Sequence, residues 1–126
     1  MEDLDVICDI LSLHVPLTSE TQHFIDAAAI GRMRHGAVLI NTARGELMDQ
    51  VALTEALRDG HLAAAGLGVF AKEPPNPTDL LLSLPNVVVT PHIGWLTTGT
   101  FDRSFALAAE NCRRLAAGET LLYRVA

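Results

Sequence analysis

A glycine-rich stretch is the first place where residue types and spacing suggest chemistry. Residues Gly66-Leu67-Gly68-Val69-Phe70-Ala71 fit the pattern Gly-x-Gly-x-x-Gly/Ala of loops that bind a dinucleotide pyrophosphate. Such a loop leads directly into a helix, whose free N–H groups and dipole meet the anion. Here the next residues are KEPPNP, which cannot form a helix because prolines remove N–H donors and fix φ. No acid that would hold a ribose follows about 20 residues later, where the sequence reads TPHIG. The context argues against phosphate binding. The glycines, which have no side chains, are expected to let a neighbouring element pack closely against a buried strand.

Three ionisable side chains stand near the ends of apolar segments. Arg44 and His92 each follow a run typical of a buried strand, and open α/β sheets bind ligands at the carboxyl ends of their strands. A guanidinium fork binds a carboxylate in bidentate fashion, and an imidazole exchanges a proton near neutral pH. Ordinary structural roles are also open. Arg44 could pair at the surface with Glu46 or Asp49, His92 could be a turn residue, and Glu73 could be a solvated loop acid.

Strand-like and helix-like segments alternate along the chain. Apolar, β-prone runs predict strands within Asp5–Val15, Ala37–Asn41, Leu62–Phe70 and Asn86–Pro91. Asp26 is the predicted N-cap of a helix that Gly36 stops, and Asp49 that of a helix that Gly60 closes. A long helix is predicted from about Thr98 to Ala117, with Gly118 at its end. This alternation is typical of a parallel sheet with helices on both faces.

The composition excludes several classes of protein. Nine Lys+Arg against fifteen Asp+Glu give a net charge of −6, which argues against a nucleic-acid surface. The five histidines lack ligand spacing, so no metal is expected. Cys8 and Cys112 are too few for a disulfide framework and are expected to be buried thiols in a reducing cytosol. Neither a membrane-spanning run nor a basic secretory start is present, so the sequence predicts a cytoplasmic protein without membrane contact.

Four segments, read together, resemble the D-isomer-specific 2-hydroxyacid dehydrogenases, the family of formate, glycerate and phosphoglycerate dehydrogenases. They are LHVPLTSET (13–21), GAVLINTARGELMD (36–49), AGLGVFAKEP (65–74) and LPNVVVTPHIG (84–94). Each segment alone is a weak signal, but their order and spacing match the family. The resemblance implies an α/β, partial Rossmann-like layered fold with a parallel sheet and flanking helices. It also implies a small 2-hydroxy or 2-oxo acid as substrate and NAD or NADP as cofactor.

The resemblance also implies a domain organisation. In family members the glycine fingerprint that binds the pyrophosphate precedes the HVPLT segment. Residues 1–118 are therefore expected to be the C-terminal half of a dinucleotide-binding domain without its glycine-rich loop. Residues 119–126 (ETLLYRVA) are expected to begin the return to a substrate domain. The missing half would hold the glycine loop, the acid for the ribose and the first three strands.

By resemblance, three residues are expected to carry the chemistry. Arg44 matches the anchor of the substrate carboxylate. His92 matches the general acid/base that takes the hydroxyl proton while hydride leaves the same carbon for the nicotinamide. Glu73 matches the carboxylate that pairs with this histidine and stabilises its protonated form. The residues expected to bind the cofactor are Val15, Pro16, Leu17, Thr42, Ala43, Arg44, His92 and Gly94; for Val15–Leu17 and Thr42–Ala43, simple strand-end packing is equally open.

Two positions depart from the family pattern. Members usually carry Asp-Val-Phe, whose Asp holds the nicotinamide carboxamide, where this chain has Gly68-Val69-Phe70. The loss of this acceptor is expected to weaken cofactor orientation. Trp95 is bulkier than the small residue of many members. It is expected either to shape the substrate side of the pocket or to cover the helix that starts near Thr98.

These features predict two functions of different classes. The first is an oxidoreductase fragment that keeps the Arg-Glu-His set but has no appreciable dehydrogenase activity alone. The second is a non-enzymatic binding module or a truncated remnant of such an enzyme. In either case the strand ending near Leu13 is expected to lack a neighbour on one side. Its unpaired N–H and C=O groups then predict self-association.

Overall fold

The structure, a computed structural model, describes residues 7–124, which fall into two compact units, 7–93 and 94–124. In the first unit the strands are β1 (Ile10–Leu13), β2 (Ala37–Asn41), β3 (Leu62–Leu67) and β4 (Val87–Val89). Its helices are α1 (Ala27–Arg32), α2 (Gln50–Arg58) and α3 (Leu80–Ser83), and a 3-10 turn covers Gly45–Leu47. The second unit contains α4 (Thr100–Ala116).

The four strands form one parallel sheet in the order β1-β2-β3-β4. Helices or helical turns lie in each connection, as parallel pairing requires, because the chain must return to the starting edge of the sheet. The predicted α/β class, with a parallel sheet and flanking helices, is confirmed.

The core lies on one face of this sheet. Leu13, Leu39 and Leu67 project from the strands and are almost fully buried, and α2 contributes Leu53 and Leu57 from its buried face. Burial of each such leucine favours folding by about 1.5–3 kcal/mol. The opposite face, which carries Val38 and Ile40, is only half-buried, so the expectation of burial on both faces holds for one face only.

The helix caps follow the sequence signals closely. The side chain of Asp26 accepts the Ala29 N–H at 2.8 Å, and Asp49 accepts from two N–H groups at the start of α2. Gly60 and Gly118 take positive φ values of 78° and 68° just beyond α2 and α4, the conformation that favours glycine after a helix. The predicted roles of all four residues are confirmed.

Several predicted boundaries were wrong. Helix α1 ends at Arg32 rather than at Gly36, because Met33 is extended and Gly36, with φ of 84°, makes the turn into β2 instead. Strand β3 ends at Leu67, so Gly68–Phe70 belong to the following loop. Helix α3, capped by Asp79, was not predicted, since four residues are too few to show a periodic pattern.

The expectation of two buried thiols was also wrong. Cys8 is half-buried and Cys112 is exposed. Cys112 lies on α4, and none of the residues of that helix is buried. Within the described range, no helix is long and apolar enough to cross a membrane, and no group of three or more potential metal ligands occurs. Asp5 and Val6, at the start of the first predicted strand, lie outside the described residues. So do Val125 and Ala126, at the end of the predicted return segment.

Candidate active site

Most of the predicted site residues lie on chain segments that follow the carboxyl ends of the strands. Leu13, Asn41, Leu67 and Val89 are register partners across the four strands. Each is the last residue of its strand. Because the strands are parallel and in register, the chain segments that follow them start side by side. They start at the carboxyl end of the sheet, where open α/β sheets bind ligands.

Glu73 and His92 form a pair at the carboxyl end of the sheet. The imidazole Nδ1 of His92 donates to Glu73 Oε2 at 3.0 Å, and the second oxygen, Oε1, accepts the backbone N–H of Phe70 at 3.0 Å. Two hydrogen bonds lower the pKa of Glu73: the bond from the Phe70 N–H has the largest effect, and the bond from His92 has the next largest. The charge of Arg44 lowers this pKa by a smaller amount. Glu73 is therefore an anion at neutral pH, fixed by its backbone contact and turned toward the imidazole.

The loop that carries Arg44 is held by a buried amide. Asn41 has no exposed surface; its Nδ2 donates to the Arg44 carbonyl at 2.8 Å and its Oδ1 accepts the Ala43 N–H at 3.0 Å. The Arg44 guanidinium donates to the Ala43 carbonyl at 2.6 Å. Within the described part of the chain it makes no ion pair with Glu46 or Asp49, so the surface-pairing alternative does not hold.

Arg44, Glu73 and His92 line one cleft of about 220 Å³. This volume suits a small organic acid, and the cleft holds a cation, an anion and an imidazole in its wall. The structure thus brings together all three predicted catalytic residues, although they lie on loops that follow three different strands. Their roles in a reaction stay predictions.

A second cleft of about 430 Å³ shares Glu73 and His92 with the first. Its walls are mainly apolar and include Phe70, Val89 and Pro91, which suits a flat ring. Gly68 also lines it. A Cβ at Gly68 would lie 3.4 Å from Thr42 Cγ2 and 3.4 Å from Thr90 Oγ1, so it would be in van der Waals contact with both threonines. The residues fit the nicotinamide end of a dinucleotide, without a carboxylate at position 68.

The glycine motif does not form a pyrophosphate loop. Gly66 and Leu67 end β3, and no helix follows directly, since the next helix, α3, starts only at Leu80. The sequence-based exclusion of phosphate binding there is consistent with this geometry. The close approach expected at Gly66 is modest, because an added Cβ would meet only the Ile40 side chain at 3.7 Å.

The other predicted cofactor residues are less closely grouped. Val15, Pro16 and Leu17 are exposed after β1 and line neither cleft. Thr42 lies beside Gly68 through its methyl group, and Ala43 packs against the core. Gly94 belongs to the second unit. Cofactor binding by all of them stays a prediction.

Trp95 also belongs to the second unit. Its ring meets Phe101 edge-on with centroids 5.3 Å apart. This contact favours the expectation that Trp95 covers the start of the long helix.

Sequence reasoning missed two residues of the site. Asn41 is a fully buried polar residue, and its signal was available: it is the one polar residue of the otherwise apolar run AVLIN. Gly45 is buried against the backbone of Phe70 and Ala71. No sequence pattern could have indicated a contact between two loops that are distant in the chain.

Comparison with known proteins identifies the family of this chain. Residues 1–94 match the family described as D-isomer specific 2-hydroxyacid dehydrogenase, NAD binding domain. A glyoxylate reductase of Korarchaeum cryptofilum is 47% identical over 111 residues, which are 88% of this chain and 33% of that protein. The chain thus spans about a third of the length of this curated relative.

Two solved structures have the same fold. The TT0316 protein from Thermus thermophilus superposes with a TM-score of 0.95 at 44% identity, over 99% of this chain and 40% of that one. D-lactate dehydrogenase with NAD+ from Lactobacillus jensenii gives a TM-score of 0.88 at 35% identity, over 98% of this chain and 42% of that one. The chain belongs to the D-isomer specific 2-hydroxyacid dehydrogenase family, and the part of the family that it matches is the NAD binding domain.

Proposed function

We propose that this chain carries the substrate and proton-transfer residues of an NAD(P)-dependent oxidoreductase that interconverts D-2-hydroxy acids and 2-oxo acids. The observation that carries the proposal is the Glu73–His92 pair, 3.0 Å apart, on a cleft that Arg44 also lines. The relatives support the substrate class, because glyoxylate is a 2-oxo acid and D-lactate is a D-2-hydroxy acid. In this proposal residues 1–118 are part of the cofactor domain, and 119–126 lead toward a substrate domain.

The proposed chemistry assigns one task to each of the three residues. Arg44 binds the substrate carboxylate and so fixes the position of the neighbouring carbon. The Nδ1 of His92 is engaged by Glu73, which leaves Nε2 to accept the proton of the substrate hydroxyl. As that proton leaves, the C2–H bond breaks with its electron pair and the C2–O bond becomes a carbonyl. NAD, when bound, supplies the hydride acceptor. In reduction His92 returns the proton, and the Glu73 carboxylate stabilises the charged imidazolium meanwhile.

The apolar cleft beside Gly68 is proposed to receive the nicotinamide ring. Ring binding there would bring the ring next to His92, which lines both clefts. The Gly66–Ala71 segment does not offer a helix N-terminus to the pyrophosphate. We therefore expect the 126-residue polypeptide alone to show no appreciable dehydrogenase activity. Steady-state formation of NADH from D-lactate or D-glycerate and NAD would overturn this expectation.

Titration with NADH tests the proposed cofactor cleft separately from turnover. A saturable change of NADH fluorescence that is weakened by Phe70→Ala, and left unchanged by the exposed control Val51→Ala, is the expected result. Absence of any saturable change would favour the alternative function, a non-enzymatic binding module or a remnant. The specific observation in favour of that alternative is Gly68, which offers no carboxamide acceptor.

A further inference from the structure

Gly45 is the point where two loops of the candidate site touch through their backbones. A Cβ added to Gly45 would lie 1.9 Å from the Phe70 carbonyl carbon, 2.2 Å from the Ala71 nitrogen and 2.3 Å from the Phe70 oxygen. Ordinary contacts between carbon atoms are about 3.5–4.0 Å. Any larger residue must therefore push the two backbones apart by roughly 1.5 Å, since no flexible side chain is available to move aside.

This contact joins the parts of the chain that hold the three candidate catalytic residues. Arg44 directly precedes Gly45. On the other side, the N–H of Phe70 donates to Glu73 Oε1, and Glu73 Oε2 accepts from His92. The backbone contact and these two hydrogen bonds form one continuous path from the Arg44 loop to the imidazole.

We propose that Gly45 is a positioning residue that sets the width of the cleft between Arg44 and the Glu73–His92 pair. This inference rests on the proposed function, in which a small acid bridges Arg44 and His92. The cleft of about 220 Å³ is lined by Gly45 itself as well as by those residues. A separation of the loops would leave each side chain present but place the guanidinium too far from the imidazole for one small acid to reach both.

The test compares Gly45→Ala with Gly31→Ala in the full 126-residue chain. Gly31 lies in α1, has no atom within 4 Å of an added Cβ and does not have positive φ, so it is a matched control. Binding of oxamate, an unreactive analogue of a 2-oxo acid, should weaken about 10- to 100-fold in Gly45→Ala, the size of effect expected when one hydrogen bond between charged groups is lost. Gly31→Ala should bind as the wild type does.

A second readout separates positioning from general damage. In Gly45→Ala the Phe70 N–H should be displaced from Glu73, so the pKa of Glu73, which that bond lowers, should rise toward its ordinary value. Amide resonances of β1–β3 should stay in place. Unchanged oxamate affinity together with an unchanged Glu73 titration would overturn the proposal. If the wild-type chain binds no oxamate, the proposed function fails, while the Glu73 titration still tests the effect of Gly45.

A variant on the other side of the contact keeps the test decisive if Gly45→Ala does not fold. Glu73→Ala removes the acceptor of the Phe70 N–H and should shift the Gly45 amide resonance across the contact. The exposed substitution Glu20→Ala should leave that resonance unchanged. A Gly45 resonance that does not respond to Glu73→Ala would contradict the proposal.

Discussion

The buried amide of Asn41 shows how a single residue prepares the site. It accepts the Ala43 N–H and donates to the Arg44 carbonyl, which also accepts the Leu47 N–H at 3.3 Å. A buried donor or acceptor that loses its partner costs about 1–3 kcal/mol. Asn41 therefore ties the conformation of the Arg44 loop to the stability of β2.

We predict that Asn41→Ala lowers the free energy of unfolding by about 1–3 kcal/mol, because the Ala43 N–H loses its side-chain acceptor and the Arg44 carbonyl keeps only its longer bond from the Leu47 N–H. Urea unfolding followed by circular dichroism measures this change. Thr42→Ala, at the exposed next position, is the control and should have a much smaller effect. Equal stabilities of Asn41→Ala and the wild type would show that the amide does not hold the loop.

The Glu73 carboxylate predicts a pH dependence. The Phe70 N–H and His92 lower its pKa in the folded state, so its contribution to stability is present above the ordinary carboxyl pKa and is lost as pH falls through the folded-state pKa. Urea unfolding of the wild type and of Glu73→Gln should therefore differ at pH 7, and the difference should shrink below about pH 4.5. Glu20→Gln, which removes the same charge from an exposed loop, is the control. A difference that grows with acidification would contradict the assigned cause.

The candidate catalytic residues could be identified from the sequence, whereas the residues that position them could not. Arg44 and His92 each follow an apolar strand after two intervening residues, but their types alone left ordinary surface roles open. The resemblance to the 2-hydroxyacid dehydrogenases singled them out, together with Glu73. The role of Gly45 depends on the distance between two loops in space, which has no signature in the local sequence. Asn41 could have been recognised as a polar residue in an apolar run, but its two backbone partners could not.

At the scale of single elements, helix α4 carries a network of charges near its C-terminus. Glu110 accepts from Arg113 at 2.9 Å and from Arg114 at 2.7 Å, and Arg113 also donates to Glu119 beyond the helix. Asn111 binds both the N–H and the carbonyl of Leu122. These bonds hold the residues after Gly118 back against the helix.

The two arginines lower the pKa of Glu110 to about 2. Its contribution to the stability of α4 should therefore be complete above about pH 4.5 and disappear as pH falls toward 2. We predict that Glu110→Gln lowers the thermal stability of α4 at pH 7, measured by the helical circular dichroism signal during heating. The same substitution should have little effect at pH 2. Because the network is exposed, 1 M salt should reduce the difference at pH 7. A difference that is unaffected by both acid and salt would rule out the charge network as its source.

The elements themselves followed from local rules with clear exceptions. Caps at Asp26 and Asp49 and the glycines after α2 and α4 were predicted correctly, because a cap depends on residues a few positions away. The prediction at Gly36 failed, since a glycine with positive φ serves a turn into a strand as well as it ends a helix. Burial was predicted least well, because the exposure of Cys112 depends on what packs against α4 rather than on the residue type.

At the scale of the whole molecule, β1 is an edge strand. Among the described residues it pairs with β2 on one side only, and Ile10 is 61% exposed. An edge strand presents unpaired N–H and C=O groups to other chains. We propose that isolated chains associate through this edge.

Sedimentation velocity tests this association. The wild type should show dimers or larger species that increase with concentration, and Ile10→Lys should shift the distribution toward monomer, because a charge on an edge strand opposes pairing. Val51→Lys places the same charge at an exposed position of α2, outside β1, and should not change the distribution. A wild type that is monomeric at all concentrations would contradict the proposal.

The central claim is that Arg44, Glu73 and His92 form one site for a small 2-oxo acid. Its most direct test is an NMR titration with oxamate that follows the Arg44 guanidinium and the His92 imidazole, with and without NADH. We expect both groups to shift with one common dissociation constant, and Arg44→Gln to abolish the shift at His92. Shifts that give different dissociation constants, or a shift at His92 that persists in Arg44→Gln, would show that these residues do not bind one ligand together.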